Sequence, residues 1–324
     1  MNTTLASSIT KVASKQTYYT IRFLVDRERV DDAYRAYAYF RWVDDVLDGP
    51  LDSGSVPNRI EATKRLAFLE RQNSLLESCH RGDLPRDIDM QELMLIELIQ
   101  CDQERDSGLG IYLHNMMQVM DFDARRRGRL ISQVELNQYT RGLATAVTEN
   151  LHYFIGHGQF APRDETRYLA VSAAHIAHML RDTYSDLQAG YYNIPREVLE
   201  GNRIGPEDMN SDAYRAWVKS RVQLAREYFK AGKCYLARVQ SLRCRLAGFA
   251  YVARFERLLD TIQKENYVLR PQYSERKSIE TGLRMGLSTL SSLTCRKDFA
   301  SETYCMTGSR SPACSRASVI STRH

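Results

Sequence analysis

The stretch RWVDDVLD, Arg41–Asp48, places three carboxylates within five residues at the end of an apolar and aromatic run. On an α-helix, residues four positions apart lie on the same face, about 6 Å apart along the axis. Asp44 and Asp48 are therefore expected to stack, with Arg41 one turn earlier and Asp45 beside them. One interpretation is a solvated acidic helix face. The other is a metal site, because hard divalent cations prefer oxygen ligands.

A second stretch, HIAHMLRDTYSD (175–186), favours the metal interpretation. Spacings of three, four and four residues place four side chains on one helix face: His175, His178, Asp182 and Asp186. Two carboxylate stripes on two helices suit Mg²⁺ ions, with Mn²⁺ as a substitute, that bridge to a substrate phosphate. Arg41 and Arg181 lie beside the two stripes and offer fixed cations to a diphosphate.

The rest of the chain predicts an all-α fold. Apolar residues recur at three- and four-residue spacing, and convincing strand alternation is absent. The clearest helical segments are 90–100, 113–120, 164–188 and 215–240, with Gly- and Pro-containing breakers between them. No Gly-rich loop follows a strand, which excludes a P-loop and a dinucleotide fingerprint. With 324 residues and 43% hydrophobic content, the chain can bury a large core in one domain or two.

Charge and targeting signals exclude several classes of protein. The net charge is +5, and the Ser/Thr-rich tail 293–324 is expected to be disordered, either as plain solvated chain or in contact with anionic lipid. The basic run Arg125–Arg129 lacks interleaved aromatics, so no nucleic-acid partner is expected. No apolar run reaches the roughly 18 residues of a membrane span, and the first residues lack a signal-peptide core, so we expect a cytosolic protein.

The seven cysteines lie far apart at 79, 101, 234, 244, 295, 305 and 314. They form no CxxC pair for zinc and no disulfide framework. We expect reduced thiols.

In combination, these motifs resemble the squalene and phytoene synthases. The Arg and DxxxD of that family's first motif appear as RWVDDVLD, and its second motif, RDxxED followed by Gly and a YLP segment, appears as RDTYSDLQAGYYNIP. Further matches are KQTYYTIRFL near the N-terminus, MDFD followed by ELNQY, YTRGLATAV, and ENYVLRPQY near the C-terminus. The matches keep the family's order from about residue 15 to 290.

The resemblance implies a single isoprenoid-synthase helical bundle, residues 15–292, around a central apolar cavity, with a flexible N-terminus (1–14) and the disordered tail (293–324). It implies Mg²⁺-dependent head-to-head condensation of two farnesyl or geranylgeranyl diphosphates to squalene, dehydrosqualene or phytoene. It assigns metal binding and catalysis to Asp44, Asp48, Asp182 and Asp186, with Asp45 at a neighbouring acidic position. His178, one turn before Asp182 on the same stripe, is a further candidate metal ligand. It assigns diphosphate binding to Thr17, Tyr18, Arg41 and Arg181. Tyr139 and Tyr267 are assigned to the cavity as catalytic residues, although each would otherwise be interpreted as ordinary core.

The chain departs from the family pattern near the second motif. His175 and His178 replace Gln and Asn, Ser185 replaces Glu, and Tyr191 and Asn193 stand where the family has Arg and Tyr. Imidazole suits softer metals better than Mg²⁺. Two other functions therefore stay open: a single-substrate lyase or cyclase in which His175 or His178 accepts a proton, and a non-catalytic isoprenoid-binding protein.

A di-iron bundle is disfavoured because the repeated ExxH pattern is missing. Substrate length, product, NADPH use and oligomeric state stay open. A peripheral membrane contact for product release is a further expectation.

Overall fold

The protein is all-α in the residues that the computed structural model describes, which are 3–48, 59–102, 104 and 106–273. A short 3₁₀ turn, Arg27–Arg29, precedes α3. The α-helices are α1 (Thr3–Ala13), α2 (Lys15–Leu24), α3 (Val30–Asp48), α4 (Arg59–Arg81), α5 (Glu92–Cys101), α6 (Gly108–Arg126), α7 (Gln133–Phe154), α8 (Leu169–Gln188), α9 (Arg196–Asn202), α10 (Asp212–Arg238) and α11 (Leu242–Lys264). The predicted fold class is confirmed.

Helices α7 and α8 pack against each other within the bundle. Helix α7 lies between α6 and α8, while α8 also packs against α10 and α11. Helix α3 contacts α1, α2, α5 and α6 on the other side of the molecule. One large apolar core joins these layers, and its largest fully buried side chains include Tyr39, Tyr214, Tyr235 and Phe229. This arrangement places α3 and α8, which carry the two predicted stripes, in one bundle.

A helix occupies most of the N-terminal segment that was predicted to be flexible. Helix α1 packs against α3 with Ala6 and Thr10 buried. The short apolar face of α1 obtains its stability from this tertiary contact, which local sequence does not reveal.

Serine side chains define where several helices begin. Ser14, Ser107, Ser132, Ser211 and Ser241 each accept a hydrogen bond from a backbone N–H in the first turn of the following helix. Such caps satisfy amide groups that have no partner inside the helix. At α7, Glu135 completes a capping box with Ser132, and the backbone N–H of Ser132 lowers the pKa of Glu135 to about 2.

The described residues bear on two expectations, which concern membrane-spanning helices and the state of the cysteines. None of the helices described combines the length and the hydropathy that a membrane crossing requires. Cys79, Cys101, Cys234 and Cys244 are free thiols, as expected. The tail 293–324 and its three cysteines lie outside the described residues.

A buried carboxylate, Asp26, joins the N-terminal helices to the rest of the bundle. It accepts hydrogen bonds from the backbone N–H groups of Gly156 (3.1 Å to Oδ2) and His157 (2.9 Å), and it pairs with Arg243. Gly156 has a φ of +75°, and a Cβ built there would lie 2.2 Å from Ser241 Oγ. Because the Gly156 backbone lies so close to the Ser241 side chain, which caps α11, this position requires glycine.

We predict that Gly156→Ala destabilises the protein more than Gly158→Ala. Both glycines have positive φ, but a Cβ at Gly158 meets nothing within 4 Å. Gly158→Ala should cost about 1 kcal/mol of unfolding free energy from left-handed backbone strain. Gly156→Ala should cost roughly 1–2 kcal/mol more, because Ser241 must move and cap α11 less well. Urea unfolding measures both values, and equal losses would contradict the role of the close contact.

Candidate active site

The first stripe lies on the C-terminal half of α3. Arg41 Nη1 donates to Asp44 Oδ2 at 3.1 Å, and Arg41 Nη2 pairs with Asp45. Burial raises the pKa of Asp44 to about 6, the negative charge of Asp48 adds to this rise, and Arg41 opposes it. The expected stacking of Asp44 and Asp48 thus appears as a repulsion between neighbouring carboxylates that the adjacent arginine only partly offsets.

The second stripe lies on the C-terminal half of α8. Arg181 forms a bidentate pair with Asp182, with N···O distances of 2.6 and 2.5 Å, and His178 Nε2 lies 3.6 Å from Asp182 Oδ2. Burial raises the pKa of Asp186 to about 6, and the charge of Asp182 contributes to the rise. The ring of His178 also contacts Phe255 edge-on at 5.9 Å.

Asp123 on α6 lies between the two stripes. Its charge contributes to the raised pKa of Asp44 on α3 and to that of Asp186 on α8. Burial raises the pKa of Asp123 itself, and Arg126 opposes that shift. Because one carboxylate acts on both stripes, α3 and α8 present their acidic residues toward the same region.

A chain of hydrogen bonds extends from Asp123 to the second stripe. Tyr139 Oη donates to Asp123 Oδ2 at 2.8 Å, and Arg126 Nε donates to Asp123 Oδ1 at 2.6 Å. Arg126 Nη1 also donates to Asn193 Oδ1 at 3.0 Å, and Asn193 Nδ2 donates to Asp186 Oδ2 at 2.6 Å. This chain, Tyr139–Asp123–Arg126–Asn193–Asp186, is called the relay below. It holds a stripe carboxylate in a fixed orientation.

Aromatic rings cover the relay. The Arg126 guanidinium lies 5.0 Å from the Tyr139 ring centroid and 4.9 Å from that of Tyr191. Phe122 packs on Tyr139 at 5.0 Å. Arginine is well suited to such stacked, partly dehydrated positions. The acidic region therefore has a dehydrated, aromatic side.

His175 is buried beside Tyr139. Its ring meets that of Tyr139 edge-on at 5.0 Å, and neither ring nitrogen has a hydrogen-bond partner within the described part of the chain. Burial lowers the pKa of His175 to about 3, with the charge of Arg126 contributing, so the ring is neutral. An unpaired buried polar group of this kind is unusual in folded proteins.

The two predicted diphosphate residues on α2 have different positions. Thr17 Oγ1 donates to Ser14 Oγ at 2.9 Å. Burial raises the pKa of Tyr37, which lies one turn before Arg41 on α3, and the charge of Arg41 and the side chains of Ser14 and Thr17 oppose that rise. Thr17 therefore lies near the first stripe. Tyr18 instead stacks on Tyr34, with ring centroids 5.5 Å apart, two turns of α3 before Arg41.

The two tyrosines that were predicted to line the cavity have different surroundings in the structure. Tyr139 is a member of the relay. Tyr267 follows the C-terminus of α11 with a φ of +64°, and Lys219 Nζ of α10 lies 5.8 Å from its ring centroid. The catalytic assignment of Tyr267 stays a prediction.

The acidic residues of the two stripes can be compared with the requirements of a metal site. No cluster of three or more His, Cys, Asp or Glu side chains suited to a metal ion occurs within residues 3–48, 59–102, 104 and 106–273. Burial nevertheless raises the pKa of Asp44 and of Asp186 to about 6, and a neighbouring carboxylate adds to each rise. Oxygen donors on two facing stripes fit Mg²⁺, which commonly binds one or two carboxylates and completes its shell with water and phosphate. The residues thus suit ions that bind together with a diphosphate.

Sequence reasoning missed three relay residues. Asp123 is the last residue of the MDFD segment, which was noted without a role, and Arg126 lies three residues after it. Asn193 was noted only as a departure from the family pattern. Their joint function depends on contacts between α6, α7 and the loop after α8.

Comparison with known proteins provides the remaining evidence for the family. The chain matches the family model described as squalene/phytoene synthase over residues 10–279. A search of curated proteins gave no match. Among solved structures, a dehydrosqualene synthase in complex with ligand is similar with a TM-score of 0.66 and 16% identity, over 90% of this chain and 96% of that one.

Squalene synthase HpnC from Alicyclobacillus acidocaldarius is similar with a TM-score of 0.62 and 17% identity, over 83% of this chain and 95% of that one. At these identities the structural likeness establishes the fold. The family-model match extends over most of the chain and includes both carboxylate stripes and the relay. The chain therefore belongs to the squalene/phytoene synthase family.

Proposed function

We propose that this protein catalyses the Mg²⁺-dependent head-to-head condensation of two prenyl diphosphates to a C30 or C40 isoprenoid, with release of diphosphate. The observation that carries the proposal is the pair of carboxylate stripes on α3 and α8, both electrostatically coupled to Asp123. Family membership supports the reaction class, and the similar solved structures include a squalene synthase and a dehydrosqualene synthase.

The charged residues of the stripes have complementary tasks in this reaction. Asp44, Asp48, Asp182 and Asp186 would hold the metal ions, with Asp45 and His178 adjoining. When bound, Mg²⁺ would offset the negative charge that develops on the leaving diphosphate. Arg41 and Arg181 lie within hydrogen-bond distance of stripe carboxylates and add fixed positive charge at the same place. Thr17, near the first stripe, adds a hydroxyl for the diphosphate.

The aromatic side of the relay would protect a reactive prenyl group from water. Rings of Phe122, Tyr139 and Tyr191 surround Arg126. The pKa of Tyr139 is raised well above its usual value by burial, so the phenol keeps its proton and donates it to Asp123. The phenol oxygen is thus neutral and oriented, and its ring face is available to stabilise positive charge.

One observation favours a second candidate function. His175 is buried, neutral and without a hydrogen-bond partner in the described residues, and it adjoins Tyr139. A neutral imidazole at this position can accept a proton from a prenyl group. That chemistry would give elimination or cyclisation of a single prenyl diphosphate.

Product identification tests the proposal. The purified protein should be incubated with farnesyl or geranylgeranyl diphosphate and Mg²⁺, with and without NADPH, and the hydrocarbons identified by mass spectrometry. We expect C30 or C40 products. C15 or C20 hydrocarbons alone would instead support the second candidate, and binding without turnover would support a non-catalytic relative.

We predict that Asp44→Asn and Asp182→Asn each lower turnover by at least about 100-fold, because each removes a metal ligand from one stripe. Helix content by circular dichroism should stay unchanged, since both side chains are only half-buried. Asp121→Asn is the matched control: Asp121 pairs with Arg125 on α6 and should be dispensable. Full activity of either stripe variant at limiting Mg²⁺ would refute the assignment.

We predict that Asn193→Ala raises the Mg²⁺ concentration for half-maximal rate by roughly tenfold. The substitution removes the amide that orients Asp186 and accepts from Arg126. Asn202→Ala is the control, because Asn202 Nδ2 donates only locally to the Val198 carbonyl oxygen on α9. A fall in kcat with no change in the Mg²⁺ requirement would argue against an orienting role.

A further inference from the structure

A small pocket lies where α7, α8 and α10 meet the loop that follows α8. Four buried apolar side chains form most of its wall, and these are Leu136, Ile176, Met179 and Leu180. The space open to the centre of a water molecule is about 10 Å³. Such a space suits one particle of about the size of water and is too small for a phosphate or carboxylate group.

The polar side chains that line this pocket all carry N–H groups. They are Asn193, Trp217 and Arg221. Trp217 and Arg221 lie one turn apart on α10 and therefore share a helix face. An indole offers one donor and a guanidinium offers only donors and a positive charge. None of the described residues around the pocket is acidic.

The indole of Trp217 is buried with its donor unused. Trp217 is only 8% exposed, and its Nε1 has no hydrogen-bond partner among the residues that the structure describes. Its ring packs edge-on against Tyr214, with the ring centroids 5.5 Å apart. Because a buried donor without a partner is costly, an acceptor is expected beside Nε1.

Arg221 is a half-buried cation without a carboxylate partner. It forms no hydrogen bond or ion pair within the described part of the chain. Burial lowers the pKa of its guanidinium, and the hydroxyl of Tyr228 opposes that fall. Burial also lowers the pKa of His175 to about 3, and the charge of Arg221 contributes, so the guanidinium lies toward α8. A dehydrated cation of this kind is unfavourable unless an anion accompanies it.

Asn193 adds a third donor from the loop after α8. Its Nδ2 donates one N–H to Asp186 Oδ2 at 2.6 Å, and the same nitrogen carries a second N–H. Its Oδ1 is engaged, because it accepts from Arg126 Nη1 at 3.0 Å. The amide therefore has a donor to offer to the pocket.

Water and a small anion would fill this pocket differently. A water molecule could accept from two of the donors, but its own protons would face apolar side chains. It would also leave the charge of Arg221 uncompensated. A monovalent anion can accept from all three side chains and offsets that charge as well. Among abundant anions, chloride is close to water in size.

We propose that this pocket binds one monovalent anion of the size of chloride. Arg221, Trp217 Nε1 and the second N–H of Asn193 hold the ion. The bound ion links α10 to the loop after α8 and stabilises the folded protein. Its binding requires no prenyl diphosphate, so it can be measured on the protein alone.

Thermal unfolding at constant ionic strength is the first test. Chloride should replace gluconate, an anion too large for the pocket, in steps at a fixed total salt concentration. We expect a saturable rise in Tm of about 2–4 °C, because a ligand that binds only the folded state stabilises it. A Tm that stays constant, or that rises without saturation, would overturn the inference.

Arg221→Gln separates the anion site from general effects of salt. We expect this variant to lose the chloride-dependent rise in Tm. In gluconate its Tm should be no lower than that of the wild type, because the substitution removes an uncompensated charge. Arg215→Gln is the matched control, since Arg215 lies on the same helix and pairs with Asp212. Loss of the rise in both variants, or in neither, would contradict the site.

Trp217→Phe keeps the question decidable if Arg221→Gln fails to fold. The substitution retains an aromatic ring and removes only the Nε1 donor and part of the indole. We expect the chloride concentration for half of the rise in Tm to increase at least about tenfold, because a hydrogen bond to a charged group is lost. An unchanged concentration in the folded variant would contradict the site.

Bromide identifies the ion directly. In crystals of the wild-type protein grown with bromide in place of chloride, we expect an anomalous peak between the Arg221 guanidinium and Trp217 Nε1. The peak should be absent from Arg221→Gln. Density without anomalous signal at this position would show a water molecule and overturn the inference. Bromide found only at other places on the surface would be an adventitious ion only and would overturn it equally.

Discussion

The buried guanidinium of Arg126 is the interaction on which the arrangement of the site depends. It pairs with Asp123, donates to Asn193 and lies against the rings of Tyr139 and Tyr191. A half-buried carboxylate beside two acidic stripes would be unfavourable without a cation next to it. Arg126 thus allows α3, α6 and α8 to bring their carboxylates to one region while the bundle remains folded.

The sequence predicted the parts of the site that depend on local spacing. Carboxylates four residues apart on a helix must share a face, so the positions of Asp44, Asp48, Asp182 and Asp186 on their helices followed directly from the sequence. The relay depends on which helices meet, and Arg126 and Asn193 are 67 residues apart. Asn193 therefore looked like a departure from a motif, although its amide joins Arg126 to the second stripe.

The sequence also did not predict which polar residues are buried. Glu149 and Arg167 look like ordinary charged residues of two helical segments, yet both are buried because α7, α8 and α10 enclose them. The same limit applies to the packing of α1 on α3, which the local sequence does not reveal. In each case the deciding term is a tertiary contact that contributes more than local propensity.

The pairing of Asp26 with Arg243 also constrains how the protein reaches this structure. The two residues are 217 positions apart, and they bring α2 beside α11. Contacts between such distant segments form slowly, because a long loop must close before they contribute stability. During synthesis the face of α2 that meets α11 therefore stays uncovered until α11 has emerged. The contacts between α2 and α11 are consequently among the last in the molecule to form, and the nascent chain is exposed to aggregation until then.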